Sequence, residues 1–497
     1  LIWLLAVVSG LATAPAGLRW LRVAQREHYL PFAVATFARR WWSSGPVNPI
    51  LLLVMFIGLV GSWWSPWWGS LVAFAQWGPV GLTVRGRTSP LVWTGRLRRV
   101  AILAGAMVLA VYVAGAALGS GFVVALGLFL LPMSIDLALL ALAPIERRLG
   151  KRWVDQASAR LEASRAKVVA ITGSYGKTTT KLYVAHLLAG SFRTVASPAS
   201  FNNRMGLARA INEHLVPGTE VFVAEMGTYG PGEIADLTTW IPPDVSALVS
   251  VGPVHLERFK TEERIVAAKA EILDRAGTAV IAVDHPLLAA LAAERAPEME
   301  VITVSGQGSP ARVMVGDGVI RLDGVEVGKA PQGVFEVNLA VAMGIGLALD
   351  LPLSELTSRL DGLPVVEHRQ NVSTSERGFT VIDDTFNSNP AGARAGLRLL
   401  RNLGEGSRTA VATPGMIELG PVQYVENRDF AAEAAALVDH LIIVGETNRR
   451  ALLDGSGKGR ASVSVVSSRE AAVEWARENL GPGDAVLYEN DLPDHYP

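Results

Sequence analysis

The chain has 497 residues, half of them hydrophobic, a formal net charge of -1 and no cysteine. That length calls for about two to four domains. The charge balance lacks the basic footprint of a nucleic-acid binder, and the missing cysteines exclude disulfides, thiolate nucleophiles and cysteine-held zinc, so that a hard ion such as Mg2+ on oxygen or histidine ligands is the default. A mean hydropathy of +0.31 is high for a soluble enzyme, and the apolar excess lies before residue 145, which reads as a membrane region.

Apolar stretches run from Leu1 to Gly17, Pro49 to Gly61, Trp67 to Val84, Val100 to Leu118 and Gly121 to Ala143. Several approach the roughly 20 residues a helix needs to cross a bilayer. Arginines follow the first stretch (Arg19, Arg22, Arg26, Arg39, Arg40), the third (Arg85, Arg87, Arg96, Arg98, Arg99) and the fifth (Arg147, Arg148, with Lys151 and Arg152), whereas the links Ser62–Pro66 and Gly119–Ser120 carry none. The positive-inside rule pairs the second stretch with the third and the fourth with the fifth as hairpins with cytoplasmic ends. The second stretch is short, which also allows a re-entrant hairpin. Trp63, Trp64, Trp67 and Trp68 suit the outer interface. Asp136 lies inside the last stretch and is either a functional group or a paired, structural one.

Next comes a β-rich run, Lys167 to Ile171, then Thr172-Gly173-Ser174-Tyr175-Gly176-Lys177-Thr178-Thr179 and a helical stretch to Leu188. Strand, glycine loop and helix in that order form a phosphate site. Backbone N–H groups of Gly173, Ser174 and Gly176 converge on phosphate oxygens, Lys177 neutralises them, and the Thr178 hydroxyl can ligate Mg2+. Glu225 closes a second β-rich run, Val221 to Ala224, and His255 follows a third, Ala247 to Val251. Both would project from the carboxyl ends of strands, where α/β sheets place ligands. Lys269, read alone, is a surface lysine on a helix.

After Val365 the chain alternates β-rich runs (Phe379 to Ile382, Thr409 to Ala412, His440 to Val444, Ser462 to Val466, Ala485 to Leu487) with helical stretches, the pattern of a doubly wound α/β domain. The last helix is expected to start at Ser467, in a capping box with Glu470.

These blocks resemble the Mur ligases, most closely those that add D-alanyl-D-alanine to UDP-N-acetylmuramoyl-tripeptide. The likeness rests on the phosphate loop, Ser200-Phe201-Asn202-Asn203, Ala224-Glu225-Met226-Gly227, Val251-Gly252-Pro253-Val254-His255-Leu256-Glu257 and Ala268-Lys269-Ala270-Glu271-Ile272, in that order, and spans Val168 to Leu480. It implies ATP and Mg2+ as cofactors, with Thr178, Glu225, His255 and a carbamylated Lys269 around the metal, Lys177, Lys269 and His255 as catalytic groups, and Thr179, Asn338, Arg369, Asp384 and Asn387 facing the nucleotide. Together with the apolar stretches at the start of the chain, it gives three expected parts: a transmembrane helical region (1-150), a central ATP-binding domain (151-365) and a Rossmann-like ligase domain (366-497). The reaction implied is ATP-dependent amide-bond formation through an acyl phosphate. A muramyl peptide, soluble or lipid-linked, is the carboxylate partner, and an amino acid or dipeptide is the amine.

Two loops depart from the family. Thr413-Pro414-Gly415-Met416-Ile417-Glu418-Leu419-Gly420 stands where relatives have Leu-Gly-Asp-Met before Glu-Leu-Gly, and Tyr488-Glu489-Asn490-Asp491-Leu492-Pro493-Asp494 stands where they have Lys-Gly-Ser-Arg. Both fall at strand ends, where the amine would be held, which leaves the amine open. The family's soluble UDP-binding domain is replaced by the apolar stretches. A poly-glutamate-type ligase is a close alternative, an inactive ligase-like scaffold another. An ATP-driven membrane transporter would share the phosphate loop but has no evident need for the carboxylate, histidine and lysine blocks. The arginine order places residues 144 to 497 in the cytoplasm, at a multi-pass inner membrane. A reporter fused at the C-terminus should therefore be active only inside the cell, and activity only outside would overturn this topology.

Overall fold

The computed structural model describes every residue except 87–89, 199–200, 255, 365–370, 387, 405, 494 and 497. The N-terminal region is helical: α1 (Ile2–Arg26), α2 (Ala33–Trp42), α3 (Asn48–Gly61), α4 (Gly69–Ala75), α5 (Gly95–Ala117), α6 (Gly121–Phe129) and α7 (Leu131–Ser164). Helices α1 and α5 are long and apolar enough to cross a membrane, and α6 with α7, bent by 67°, adds a third candidate if the pair is one broken span.

The stretches expected at Pro49 to Gly61 and Trp67 to Val84 do not form two helices long enough to be membrane spans. Helix α3 has 14 residues and α4 has seven, and Pro79, which cannot donate to a helix ladder, follows shortly after. The non-helical backbone beyond α4 is satisfied by side chains instead. Arg19 donates to the Gln76 and Trp77 carbonyls at 2.6 Å, and Arg22, fully buried, donates to Thr83 O at 2.9 Å. Asn48 bonds both the N–H and the carbonyl of Val80, and Gln76 donates to Leu128 O at the α6–α7 break. Irregular backbone among apolar helices needs such partners. Arg19 and Arg22, counted above as topological signals, thus serve the backbone of this segment. Asp136 has a comparable task. Buried in α7, its carboxylate accepts from Val34 N at 3.2 Å and Ala35 N at 2.8 Å, satisfying the first N–H groups of α2.

Helix α7 runs unbroken for 34 residues through position 150, where a domain division was expected. Its first half packs in the N-terminal core (Ile135, Leu139), its second (Val154, Ala157, Leu161) in the core of the next sheet. That sheet holds β1 (Lys167–Thr172), β2 (Thr194–Ala196), β3 (Val221–Glu225), β4 (Val245–Leu248), β5 (Thr278–Ala282), β6 (Glu300–Ser305), β7 (Val313–Gly316), β8 (Val319–Leu322) and β9 (Val325–Lys329). The spatial order is β2-β3-β1-β4-β5-β6-β7-β8-β9. Pairing is parallel from β2 through β7 and antiparallel across β7-β8-β9. Helices α8 (Lys177–Leu188), α9 (Arg204–His214), α10 (Glu233–Trp240), α11 (Leu256–Phe259), α12 (Glu262–Ala270), α13 (Pro286–Arg295), α14 (Glu336–Ala348) and α15 (Leu353–Ser358) complete the domain. Alternate residues of β1 and β3 enter separate cores: Val168, Ala170, Phe222 and Ala224 on one face, Val169, Ile171, Val221 and Val223 on the other. This explains their continuous apolar runs.

The C-terminal sheet contains β10 (Asn371–Thr374), β11 (Thr380–Asp384), β12 (Thr409–Thr413), β13 (His440–Val444), β14 (Ser462–Val466) and β15 (Ala485–Glu489), in the order β10-β11-β15-β12-β13-β14. Only β10 is antiparallel to its neighbour. Helices α16 (Pro390–Leu403), α17 (Gln423–Leu437) and α18 (Arg449–Ser456) pack on one face and α19 (Arg469–Asn479) on the other. Ser468, one residue later than expected, caps α19.

Polar contacts tie the helical region to both sheets. Glu27 pairs with Arg258 at 3.2 Å and with His495 at 2.9 Å, Arg40 pairs with Glu257 at 2.6 Å, and Trp41 Nε1 donates to His495 O at 2.8 Å. His28 stacks on Tyr229. Replacing Asp136 with alanine strands two buried N–H groups and should cost about 1–3 kcal/mol. A lowered thermal midpoint of the purified protein checks this, and an unchanged midpoint would assign the capping of α2 to another group.

Candidate active site

The phosphate loop connects the end of β1 to α8. Gly176 has φ 75° and caps α8, and a Cβ there would lie 2.8 Å from the Asn338 side chain. Both the left-handed backbone and the close approach require glycine. The Lys177 ammonium folds back to donate to Gly173 O at 2.7 Å and to Ser174 O at 3.4 Å. Ser174 bonds Gly252 O, and Asn338, on α14, donates to Gly176 O at 3.2 Å, bracing the loop from the far side.

Beside it, Glu225 ends β3 in register with Ile171 of β1, so the carboxylate meets the first turn of α8. Thr178 Oγ1 donates to Glu225 Oε2 at 2.9 Å, Lys181 pairs with the same oxygen at 3.1 Å, and Asn202 donates to Oε1 at 3.1 Å. Burial alone would raise the Glu225 carboxyl. The Lys181 and Lys177 ammoniums and the Asn202 amide outweigh it, holding the group below the ordinary carboxylate range. Lys269, in the last turn of α12, is 4 % exposed and not a surface lysine. Burial, and next the charge of Lys177, push its ammonium well below the usual lysine range, so the amine is neutral more readily than a solvated one.

The expected site residues divide as follows. Gly173, Ser174, Gly176, Lys177, Thr178, Glu225 and Asn338 come together at the loop, with Lys269 within electrostatic reach of Lys177. Thr179, Asn338 and Asp384 line a cavity of about 610 Å3 between the two sheets, together with Tyr175, Phe335 and Phe386. His255, Arg369 and Asn387 lie outside the described residues. The strand before His255 ends at Leu248, sooner than expected. Among the described residues no cluster of three or more His, Asp or Glu side chains is poised for a metal. The adjoining Thr178 hydroxyl and Glu225 carboxylate nevertheless suit Mg2+, which usually takes one or two protein oxygens and completes its shell with water and phosphates.

Lys181 was not singled out from the sequence, although it sits one helical turn beyond Lys177, the spacing that puts two side chains on one face. Glu489 was seen only as a departure from the family. Fully buried at the end of β15, it accepts from Ser388, which lines the inter-sheet cavity, and from Thr413 at the end of β12. Burial pushes its carboxyl up to about 7, with Asp384 adding to the rise and the two hydroxyls opposing it.

Residues 171–342 match the Mur ligase middle domain and residues 368–488 the Mur ligase glutamate ligase domain. The chain is 32% identical over 376 residues to the UDP-N-acetylmuramoyl-tripeptide--D-alanyl-D-alanine ligase of Mycobacterium leprae, spanning 66% of this chain and 72% of that protein. The chain belongs to the Mur ligase family. The Bacillus subtilis protein of the same name is 24% identical, with 67% and 75% covered. Among solved structures, the Thermotoga maritima MurF ligase in complex with ADP aligns with a TM-score of 0.58 at 25% identity, covering 69% of this chain and 80% of that one. The Acinetobacter baumannii MurF shares the fold at 22% identity, a TM-score of 0.60 and coverage of 69% and 77%. A Mur ligase is an ATP-dependent, ADP-forming enzyme.

In this Mur ligase the Lys181–Glu225 pair is 2 % exposed on both sides. Removing one partner of such a pair leaves a buried charge. Lys181→Met should therefore destabilise the protein by about 3–5 kcal/mol near neutral pH. Because the folded Glu225 pKa lies below the usual 4.5, the stabilisation is present above that pH and lost as pH falls through the folded value. Thermal midpoints of parent and variant should converge in acid. A gap that persists there would assign the effect to packing.

Proposed function

We propose that this Mur ligase joins a dipeptide or amino acid to the terminal carboxylate of a muramyl-peptide precursor of the cell wall. ATP phosphorylates that carboxylate. The amine nitrogen then attacks the acyl carbon, the C–N bond forms as the C–O bond to phosphate breaks, and ADP and phosphate leave. The relatives' names supply the substrate pair. Lys177 would hold the transferring phosphate, and Asn338 and Asp384 would bound the nucleotide cavity. Thr178, Glu225, His255 and Lys269 would hold Mg2+, which when bound supplies the positive charge that offsets the phosphates. Arg369 and Asn387 would reach the nucleotide from the Rossmann-like C-terminal domain. The burial of Lys269 beside Lys177 carries this reading, because a carbamate forms only from a neutral amine.

We place the enzyme at the inner membrane, with α1, α5 and the bent α6–α7 pair as spans, α3–α4 as a re-entrant hairpin and both ligase sheets in the cytoplasm. The apolar length of α1 and α5 supports this, and so do the exposed tryptophans Trp63 and Trp64 at the tip of the hairpin. A lipid-linked acceptor presented at that face fits the fusion, and assaying soluble against lipid-linked precursor separates the two.

Lys269→Ala should lower ADP release by on the order of 10²-fold or more and recover partly with added acetate, which can occupy the vacated space as an anionic ligand. Lys269→Arg keeps a permanent charge, fills that space and should not recover. Near-parental rates for Lys269→Ala would retire the carbamate.

A further inference from the structure

The two loops that depart from the family meet at one cavity. Strand β12 pairs with β15 so that Ala412 faces Tyr488. Their carboxyl ends, with those of β13 and β14, open onto a space of about 490 Å3, within the range of small-molecule sites. Ligands of open α/β sheets bind beyond the carboxyl ends of the strands. The opposite wall comes from outside the ligase domains, from the two ends of hairpin α3–α4: Trp41 and Val47 before it, Asn48 at its start, Val80 and Gly81 after it.

That wall is held in place. Asn48 bonds both backbone groups of Val80, joining the two ends of the hairpin, and Trp41 donates to His495 O in the segment that follows β15. On the ligase side the cavity carries an ion pair, Arg469–Asp491 at 3.0 Å, which presents one charge of each sign. The remainder of the lining includes aliphatic and aromatic side chains such as Val444 and Tyr496. Glu489 lies behind this wall, linked through Ser388 to the nucleotide cavity, so the two cavities flank one strand end.

We propose that this cavity receives the amine partner, a zwitterionic amino acid or short peptide whose carboxylate exchanges onto Arg469, and that Trp41, Val47 and Val80 of the N-terminal helical region help to select it. This rests on the ligase reading above and adds to it a specificity wall that the ligase domains do not contain. Small side chains on the amine fit against Val47 and Val80. An amine whose carboxylate is blocked forfeits the Arg469 contact.

The test uses full-length protein in lipid nanodiscs, with ADP release measured against ATP, UDP-N-acetylmuramoyl-tripeptide and either D-alanyl-D-alanine or its C-terminal amide. Val47→Trp and, independently, Val80→Trp place an indole in the cavity and should raise the KM for the dipeptide at least tenfold with the KM for ATP within twofold. Arg469→Met should erase most of the parent's preference for the free acid over the amide. An unchanged dipeptide KM in both tryptophan variants overturns the inference while leaving the ligase intact. No ADP release by the parent with either amine sinks the underlying reading of the substrate pair, and this inference with it.

Discussion

One helix belongs to two hydrophobic cores, and the placement of the active site depends on it. Helix α7 begins among the apolar N-terminal helices and ends beneath the sheet that carries the phosphate loop. At 34 residues it is roughly 50 Å long. Because both halves are packed, the helical region and the loop cannot swing independently without exposing one of two apolar faces. Close packing at Gly150, where a Cβ would lie 3.0 Å from Met205 Sδ, continues this contact between α7 and α9. The contacts of Glu27, Arg40 and Trp41 then add a second attachment, to α11 and to the segment after β15.

Within that frame a buried carboxylate sits among lysines beside the phosphate loop. Glu225 receives Lys181, Thr178 and Asn202, with Lys177 near enough to lower its pKa. A buried ion pair of this kind is weak evidence for stability, since the desolvation of both charges offsets much of their attraction. Its use lies in orientation. Glu225 is locked on the strand side of the first turn of α8, while the Lys177 ammonium donates to the loop carbonyls of Gly173 and Ser174. Preorganised charge of this sort is what phosphoryl transfer needs.

The N-terminal helices show the same economy with polar groups. Arg19, Arg22, Asn48, Gln76 and Asp136 each satisfy backbone groups that the broken helices leave open. A short hairpin with non-helical backbone is therefore tolerated, and its two ends are brought to the strand ends of the C-terminal sheet. Asp136 is a structural group in this arrangement.

Local patterns carried much of this in the sequence alone. Strand, glycine loop and helix around Lys177 need only the loop's own φ requirements and the apolar run before it. The strands β13 and β14 and the helix α8 follow from apolar periodicity and end where that periodicity stops, and Glu225 is placed by closing a buried strand. What involved distant partners was not legible. Lys269 has the look of a solvated helical lysine until the sheet buries it, Lys181 matters only because β3 brings Glu225 to it, and Arg22 counts as a topological charge until the chain after α4 offers Thr83 as its acceptor. Hairpin α3–α4 was likewise too apolar to distinguish a crossing from a re-entrant turn by composition, because hydropathy is a sum over residues. Where a helix breaks is decided by which side chains arrive, from elsewhere in the chain, to take up the backbone groups it releases.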